Sequence, residues 1–165
     1  MRTHSPSEGF CCADHSGRAS VQAILAQAES RAKAQGARLT PVRRRTLELL
    51  LQAHGALGAY QVLEVLADEG FGTQPPVAYR ALNFLVEHGL AHRIRRLNAF
   101  TACAHPGQEH RAAFLICENC DSVTEAAAEQ VRAALERAAE ARGFHISRAT
   151  IEAVGRCTNC QEARA

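Results

Sequence analysis

The sequence predicts an α+β fold, with an N-terminal winged helix-turn-helix domain and a smaller C-terminal α/β domain, and two observations lead to this prediction. The first is a change of period: helical apolar spacing runs through residues 19–89, and two short β-prone runs follow in residues 90–103. The second is a pair of Cys-x-x-Cys motifs, Cys117–Cys120 and Cys157–Cys160, which enclose a separate segment of 36 residues.

Composition and charge argue against a membrane or secreted protein and favour a polyanion as the partner of the first part of the chain. The 165 residues are 47% hydrophobic, which is enough to bury a core, and no apolar run is long enough to cross a bilayer. The first 20 residues contain no apolar stretch of the signal-peptide kind, so we expect a protein of the reducing cytoplasm with no membrane partner. Residues 31–100 carry ten Lys or Arg against five acids, whereas residues 101–165 carry seven against nine. Only the first part therefore suits a polyanion.

The chain divides into four predicted segments. Residues 1–18 show no periodicity in their apolar residues, so we expect them to be disordered. Cys11, Cys12 and His15 in this tail are a weaker candidate metal site. The segments are a tail (1–18), a winged-helix domain (19–103), a hinge loop (104–110) and an α/β dimerisation domain (111–165).

Four helices are expected in the first domain, because apolar residues recur every three or four positions and glycine or proline marks the helix ends. Thr40 is the expected N-cap of the second helix. The helices cover about residues 19–35, residues from Thr40-Pro41 onward, residues 59–69, and residues from Gln74-Pro75-Pro76 to Gly89. Their core-facing positions are Val21, Ile24, Leu25, Ala28, Leu47, Leu50, Leu51, Val62, Leu63, Leu66, Ala81, Leu82, Leu85 and Val86.

A β-hairpin follows the fourth helix. Residues 90–94 and 99–103 are its expected strands, and residues 95–98 form the bend. Three helices followed by a hairpin are typical of a winged helix-turn-helix, a module that lays its last helix in the major groove of DNA and its wing along the backbone. The basic balance of this half agrees with double-stranded DNA as a partner.

The second domain is predicted as a β-β-α-β layer. Its expected elements are strands at 111–116, 121–124 and 144–154 and an Ala-rich helix at 125–142. Val131 and Leu135 are expected to point inward from this helix, and Gly143 to end it. A layer this small leaves one apolar sheet face to cover. We expect a second copy of the chain to cover it, which gives a homodimer with two DNA half-sites.

Cys117, Cys120, Cys157 and Cys160 are the strongest candidate metal site. In a chain with no secretory signal, matched Cys-x-x-Cys pairs indicate thiolate ligands rather than disulfides, and four thiolates suit one closed, tetrahedral structural zinc. The alternative is two redox-active pairs, but a redox motif usually opens a helix after a strand in a thioredoxin-like unit.

Three motifs carry a resemblance to a known family. They are Arg38-Leu39-Thr40-Pro41-Val42-Arg43, Pro75-Pro76-Val77-Ala78-Tyr79-Arg80-Ala81-Leu82-Asn83-Phe84-Leu85 and Cys117-x-x-Cys120. Over about residues 19–160 the chain resembles the ferric uptake regulator family, and Ala59-Tyr60 with the hinge pattern is similar to its zinc-regulator subgroup. The resemblance implies a dimeric transcriptional repressor that binds operator DNA when its sensor site holds zinc and so controls zinc-uptake genes.

A metal sensor needs a second site that binds more reversibly than four buried thiolates. His92, Cys103, His110 and Glu125 are the candidate ligands, and this set of one thiolate, two imidazoles and one carboxylate suits tetrahedral zinc better than six-coordinate iron. The resemblance implies the same four positions, and with them two Zn2+ ions per subunit. The first two ligands belong to the DNA-binding half and the last two to the other half, so a bound metal is expected to fix the angle between them.

Alternatives exist at single positions. His105 and Glu109 are rival ligands in the loop before His110, and for His92 taken alone a water-exposed strand histidine is the ordinary interpretation. Iron sensors of the family carry a His-His-Asp-His run before the first cysteine pair, whereas residues 106–110 here read Pro-Gly-Gln-Glu-His. This departure weakens the interpretation as an iron sensor.

The resemblance also implies the DNA contacts. Tyr60 is expected to touch a thymine methyl group and Arg80 to hydrogen-bond a purine, which agrees with arginine to guanine being the commonest specific pairing. The alternative for Arg80 is a surface ion pair with Glu87 or another neighbour. Tyr79 is expected to pack or to bind phosphate rather than to read a base. Candidate phosphate contacts are Arg43, Arg44 and Lys33.

The leading hypothesis is therefore a zinc-responsive, dimeric, DNA-binding repressor. Two alternatives stay open: a family member that senses iron, manganese or nickel, and a zinc-buffering or thiol redox-switch protein whose cysteines release zinc on oxidation. We do not expect an enzyme or a small-molecule substrate, because the predicted ligand sets leave no open position for water and no nucleophile-base pair stands out.

Overall fold

The computed structural model describes residues 21–53, 55–104, 106 and 112–162. Several predicted features lie outside the described residues, namely the tail with Cys11, Cys12 and His15, and the candidate ligands His105, Glu109 and His110. The described elements confirm the α+β fold class. Within these ranges, no helix combines the length and the apolar character that crossing a membrane requires.

The four predicted helices of the first domain are present. They are α1 (Val21–Ala34), α2 (Pro41–Gln52), α3 (Ala59–Asp68) and α4 (Pro75–Glu87). Gly36 and Gly70 follow α1 and α3 with φ of 71° and 81°, a left-handed conformation that glycine adopts without strain and that ends a helix. Thr40 occupies the N-cap position of α2, but its side chain makes no capping hydrogen bond.

The core of the first domain forms where the helical apolar faces meet. Leu25, Val62, Leu66, Leu82 and Leu85 are fully buried there, and the hairpin packs against the same cluster. Val86 was predicted to point inward, but it is 37% exposed. The prediction is wrong because Val86 lies in the last turn of α4, beyond the stripe that packs on the other helices.

The wing is a three-stranded antiparallel sheet. Its strands are β1 (Leu57–Gly58), β2 (Ala91–Ile94) and β3 (Ala99–Ala102), in the order β1-β3-β2. The hairpin of β2 and β3 was predicted, and Asn98 in its bend has a φ of 48°. β1 was not predicted, because two residues are too short to show an alternating pattern.

A second three-stranded sheet forms the other half. It consists of β4 (Ala112–Cys117), β5 (Val123–Ala127) and β6 (Ile151–Gly155) in the order β5-β4-β6, with β5 antiparallel and β6 parallel to β4. The helix α5 (Glu129–Glu140) lies between β5 and β6 in the chain, as the parallel connection requires. A short helix, α6 (Thr158–Glu162), follows and was not predicted.

Several predicted boundaries of the second half are wrong. Residues 125–127 were assigned to the helix but extend β5, because pairing with β4 overrides the helix propensity of Ala and Glu. Residues 144–150 were assigned to a strand but are irregular, and β6 begins at Ile151. Val131 and Leu135 of α5 were expected to point inward but are 53% and 42% exposed within one protomer.

A small apolar cluster joins the two sheets. Ile94, at the end of β2, is fully buried and lies in one cluster with Phe114 and Ile116 of β4. Gly55, before β1, also approaches the second half, since a Cβ added there would lie 3.3 Å from the carbonyl oxygen of Asp121. Side-chain packing therefore holds the wing against the second sheet.

Candidate metal centres and nucleic-acid interface

The four predicted cysteines converge at one end of the second sheet. Cys117 ends β4, and Cys120 lies in the turn that follows. Because β6 runs parallel to β4 with Gly155 opposite Cys117, it brings Cys157 to the same end, and Cys160 lies in α6. The four sulfur atoms lie within 4.8 Å of one another, and no disulfide joins the cysteines that the structure describes.

Hydrogen bonding prepares this four-cysteine group for a cation. The backbone N–H of Cys157 donates to the Cys117 sulfur over 3.4 Å, and with the N–H of Asn119 it lowers the pKa of that thiol to about 6. The pKa of Cys160 is raised because its thiol is hydrogen-bonded to Cys157 and Cys120. A thiolate surrounded by three further sulfurs is a donor set that fits tetrahedral zinc.

A second group of candidate ligands lies between the two sheets. It consists of His92 in β2, Cys103 just after β3 and Glu125 in β5, and one ligand atom of each lies within 4.8 Å of the others. The His92 Nε2 and Glu125 Oε2 atoms are 3.5 Å apart. Cys103 is buried, and the Glu125 side chain is only 10% exposed. An imidazole, a thiolate and a carboxylate fit a zinc site that is more labile than four thiolates.

Both sheets contribute to the geometry of this mixed group. The backbone N–H of Cys103 donates to the Leu90 carbonyl oxygen over 3.0 Å, which anchors the thiol beside β2. From the other sheet, Glu125 Oε2 accepts the N–H of Ala104 at 3.1 Å. The His92 ring packs on Phe114 of β4, with 5.1 Å between ring centroids. The group therefore changes shape whenever the two sheets move relative to each other.

The predicted fourth ligand of the mixed group is not among the described residues. His110 and its rivals His105 and Glu109 all lie in the part of the loop that the structure leaves undescribed. The three candidate ligands that the structure describes lie together. Which loop residue completes the set stays a prediction.

Two of the predicted DNA-contacting residues are well exposed. Tyr60 at the start of α3 is 68% exposed, and Arg80 in α4 is exposed as well. Among the residues that the structure describes, no carboxylate forms an ion pair with Arg80, so the alternative pairing with Glu87 is not formed. Tyr79 is 36% exposed, less than Tyr60.

The arginines at the start of α2 already have protein partners. Arg43 donates to the Arg38 carbonyl oxygen over 2.7 Å, and its guanidinium carbon lies 3.7 Å from the centroid of the Phe84 ring. Arg44 donates to Glu29 over 2.8 Å. Arg45 forms a two-nitrogen contact with the carboxylate of Glu69 and lowers the pKa of that group. These pairs join α2 to the neighbouring helices.

Glu152, at the contact between the sheets, was not predicted as a functional residue. Glu152 of β6 accepts the backbone N–H of Arg95 at 2.7 Å and that of Arg96 at 2.9 Å, so it caps the turn of the wing. In the sequence Glu152 is one acid in a loosely alternating run. Only the register of β6, which places Glu152 opposite Phe114, shows that it faces the wing.

Comparisons with known proteins agree with this geometry. The sequence profile of the ferric uptake regulator family matches residues 34–154. A zinc uptake regulation protein of Escherichia coli K12 is 36% identical over 149 residues, which is 90% of this chain and 87% of that protein. A solved zinc uptake regulator in complex with zinc and DNA is 36% identical, with a TM-score of 0.84 over 89% of this chain and 99% of the other. The holo form of XcZur is 35% identical, with a TM-score of 0.77 over 87% and 99%.

Proposed function

Because the chain belongs to the ferric uptake regulator family, we propose that it is a zinc-responsive, dimeric transcriptional repressor that binds operator DNA and controls zinc-uptake genes. The family consists of transcription regulators rather than enzymes. The observation that carries the proposal is the mixed group, since its ligands come from both sheets. A DNA partner implies that the protein works in the cytoplasm.

The regulatory zinc is assigned to the mixed group. His92, Cys103 and Glu125 would hold it together with His110 as the fourth ligand, and the ion would act as a Lewis acid that accepts an electron pair from each of the four donors. When these donors are drawn together, the wing is fixed relative to the second sheet. Zinc binding stabilises only the arrangement of wing and second sheet that fits DNA. A coupling free energy of about 1–3 kcal/mol between zinc binding and DNA binding gives roughly 5–150-fold tighter operator binding.

The structural zinc is assigned to the four-cysteine group, which gives two ions per subunit. Cys117 and Cys120 hold the end of β4, and Cys157 and Cys160 hold the segment after β6. All four ligands belong to the second half of the chain. Occupancy of this group therefore stabilises the second sheet without changing where the wing lies.

The dimer forms on the exposed apolar surface of the second half. This surface consists of Leu115, Val131, Leu135 and Phe144, each at least 42% exposed in one protomer. Apolar side chains with this exposure gain free energy when a second copy covers them. Val131 and Leu135 therefore point to the partner rather than into the protomer.

The DNA contacts are assigned to the first half. Arg80 reads a purine and Tyr60 a thymine methyl group, since both side chains are exposed on neighbouring helices. Tyr79 contributes packing or a phosphate contact. Arg43 and Arg44 already donate to protein partners, so only their remaining N–H groups are available for phosphate.

One titration tests the proposal against its alternatives. Operator binding by the protein, with its four-cysteine group loaded, is measured while free zinc, iron and manganese are buffered separately. We expect zinc to restore binding at the lowest free concentration, because the mixed group includes a thiolate and imidazoles. A response to iron or manganese alone would replace zinc as the signal. Zinc release on mild peroxide, with no operator binding at any metal level, would instead indicate a redox or buffering protein.

A further inference from the structure

Glu152 faces the wing in the same row of the second sheet as Glu125. Phe114 on the central strand β4 is the register partner of Glu125 on β5 and also of Glu152 on β6. Register partners point to the same face of a sheet, so the three side chains form a row of acid, aromatic ring and acid. Neighbouring strands are about 4.8 Å apart, which places the two acidic residues about 10 Å from each other.

Strand β2 and the turn that follows it meet this row at two points. At one point His92 Nε2 lies 3.5 Å from Glu125 Oε2. At the other, the N–H groups of Arg95 and Arg96 donate to Glu152 over 2.7 and 2.9 Å. His92 and Arg95 are three residues apart, about 10 Å in an extended strand, so the two spacings match. Ile94 lies between these points and is fully buried.

We propose that Glu152 is a positioning residue for the mixed group: it holds the wing in place without a metal and thereby raises the affinity of that group for zinc. This inference rests on the proposed function. One point of attachment lets a strand pivot, whereas two points fix its direction. Glu152 supplies a hydrogen-bonded point that is independent of the metal ligands, beside the packing of Ile94 on Phe114 and Ile116. A carboxylate that accepts two backbone N–H groups forms charge-assisted hydrogen bonds, which are stronger than neutral ones.

The effect on zinc affinity follows from the origin of the ligands. His92 and Cys103 move with the wing, and Glu125 moves with the second sheet. When the ligands of a metal site come from two parts of a protein, the affinity for the metal is proportional to the fraction of molecules in which the two parts are already together. The contact of Glu152 with the wing raises that fraction. By linkage, occupancy of the mixed group strengthens the contact of Glu152 by the same factor.

Glu152→Gln tests the inference, with Glu140→Gln as the matched control. Glutamine keeps the size of the side chain and one acceptor oxygen, but its amide group meets one N–H donor with another. We expect zinc affinity at the mixed group to fall about tenfold, while the four-cysteine group keeps its zinc and the dimer stays intact. Glu140 is exposed at the end of α5. The substitution Glu140→Gln removes the same charge and should leave the zinc affinities of both groups unchanged.

Amide hydrogen exchange gives a second readout that needs no metal in the mixed group. In protein that carries only its structural zinc, exchange at the N–H groups of Arg95 and Arg96 should be about tenfold faster in Glu152→Gln than in the wild type. If Glu152→Gln loses its structural zinc, Glu152→Asp, which keeps the charge but is one methylene shorter, carries the same expectation.

The outcomes separate this inference from the proposed function. Unchanged zinc affinity and unchanged exchange in the variant would overturn the role of Glu152, while a wild type that still responds to zinc would leave the proposed function in place. A wild type whose operator binding ignores zinc would remove the proposed function, whatever the variant does.

Discussion

The four-cysteine group and the mixed group differ in where their ligands come from. All four cysteines belong to the second sheet and the segments that leave it, whereas the mixed group takes His92 and Cys103 from the wing and Glu125 from the other sheet. A metal whose ligands all belong to one domain stabilises that domain. A metal whose ligands come from two domains fixes their relative orientation. We therefore propose a structural role for zinc in the first group and a regulatory role in the second.

The two groups also differ in the chemistry of their donor atoms. In the four-cysteine group, backbone N–H groups around Cys117 favour the thiolate before any metal arrives, and four sulfurs make a closed set with slow release. The mixed group has one thiolate, and its carboxylate also accepts the N–H of Ala104. Its occupancy is expected to follow the concentration of free zinc more readily.

The largest effect is expected from Cys160→Ser or Cys117→Ser. Either change removes a ligand from the four-cysteine group, and in zinc-finger peptides metal binding supplies about 10–16 kcal/mol of folding free energy. We expect the second sheet to unfold and the dimer to be lost. Circular dichroism and gel filtration measure both. A folded dimer in both variants would mean that the group has no structural role.

Cys103→Ser is the matched change in the mixed group, because it replaces the same atom by oxygen. We expect a folded dimer that keeps its structural zinc but binds operator about 5–150-fold more weakly than the wild type at saturating zinc. Fluorescence anisotropy with operator DNA measures the affinity. If Cys103→Ser responds to zinc as the wild type does, the mixed group is not the sensor.

The two groups also differ in how far the sequence could predict them. The spacing of Cys117-x-x-Cys120 and Cys157-x-x-Cys160 indicates a metal site without any structure. His92 and Glu125 carry no local signal, and the residues became candidates only through the resemblance to a family. Glu152 had no signal of either kind, since its role depends on the register of a parallel strand pair. Long-range register is set by packing rather than by local composition.

The fold was also predicted well where the signals in the sequence are local and less well where they are not. The bounds of α3 and α4, the start of α2 and the end of α1 agree with the prediction within about two residues, because glycine, proline and apolar spacing mark them locally. The start of α5 was wrong because Glu125 to Ala127 have helical propensity but pair with β4. The helical spacing predicts Val131 and Leu135 as core residues, but both are exposed in one protomer. A single sequence does not distinguish a core from a surface that a second copy covers.

A smaller effect is expected from the loop before β4, where the fourth ligand of the mixed group is assigned. His110→Ala should lower operator affinity about fivefold to tenfold at limiting zinc, less than Cys103→Ser, because water can replace a neutral ligand more easily than a thiolate. His105→Ala and Glu109→Gln are the matched controls and should leave the response unchanged. If one of the controls loses the response and His110→Ala keeps it, that residue is the ligand.

The smallest effect near neutral pH is the dependence of the zinc affinity of the four-cysteine group on pH. Its zinc affinity can be measured alone in Cys103→Ser by competition with a chelator. Zinc binds the thiolate, so a proton on Cys117 competes with it. The pKa of Cys117 is lowered to about 6, so this competition is absent above about pH 6 and appears below it. We expect zinc affinity to fall by about one further power of ten per pH unit once the pH drops below 6. If the added slope begins near pH 9, the ordinary value for a thiol, the backbone N–H groups do not hold Cys117 as a thiolate.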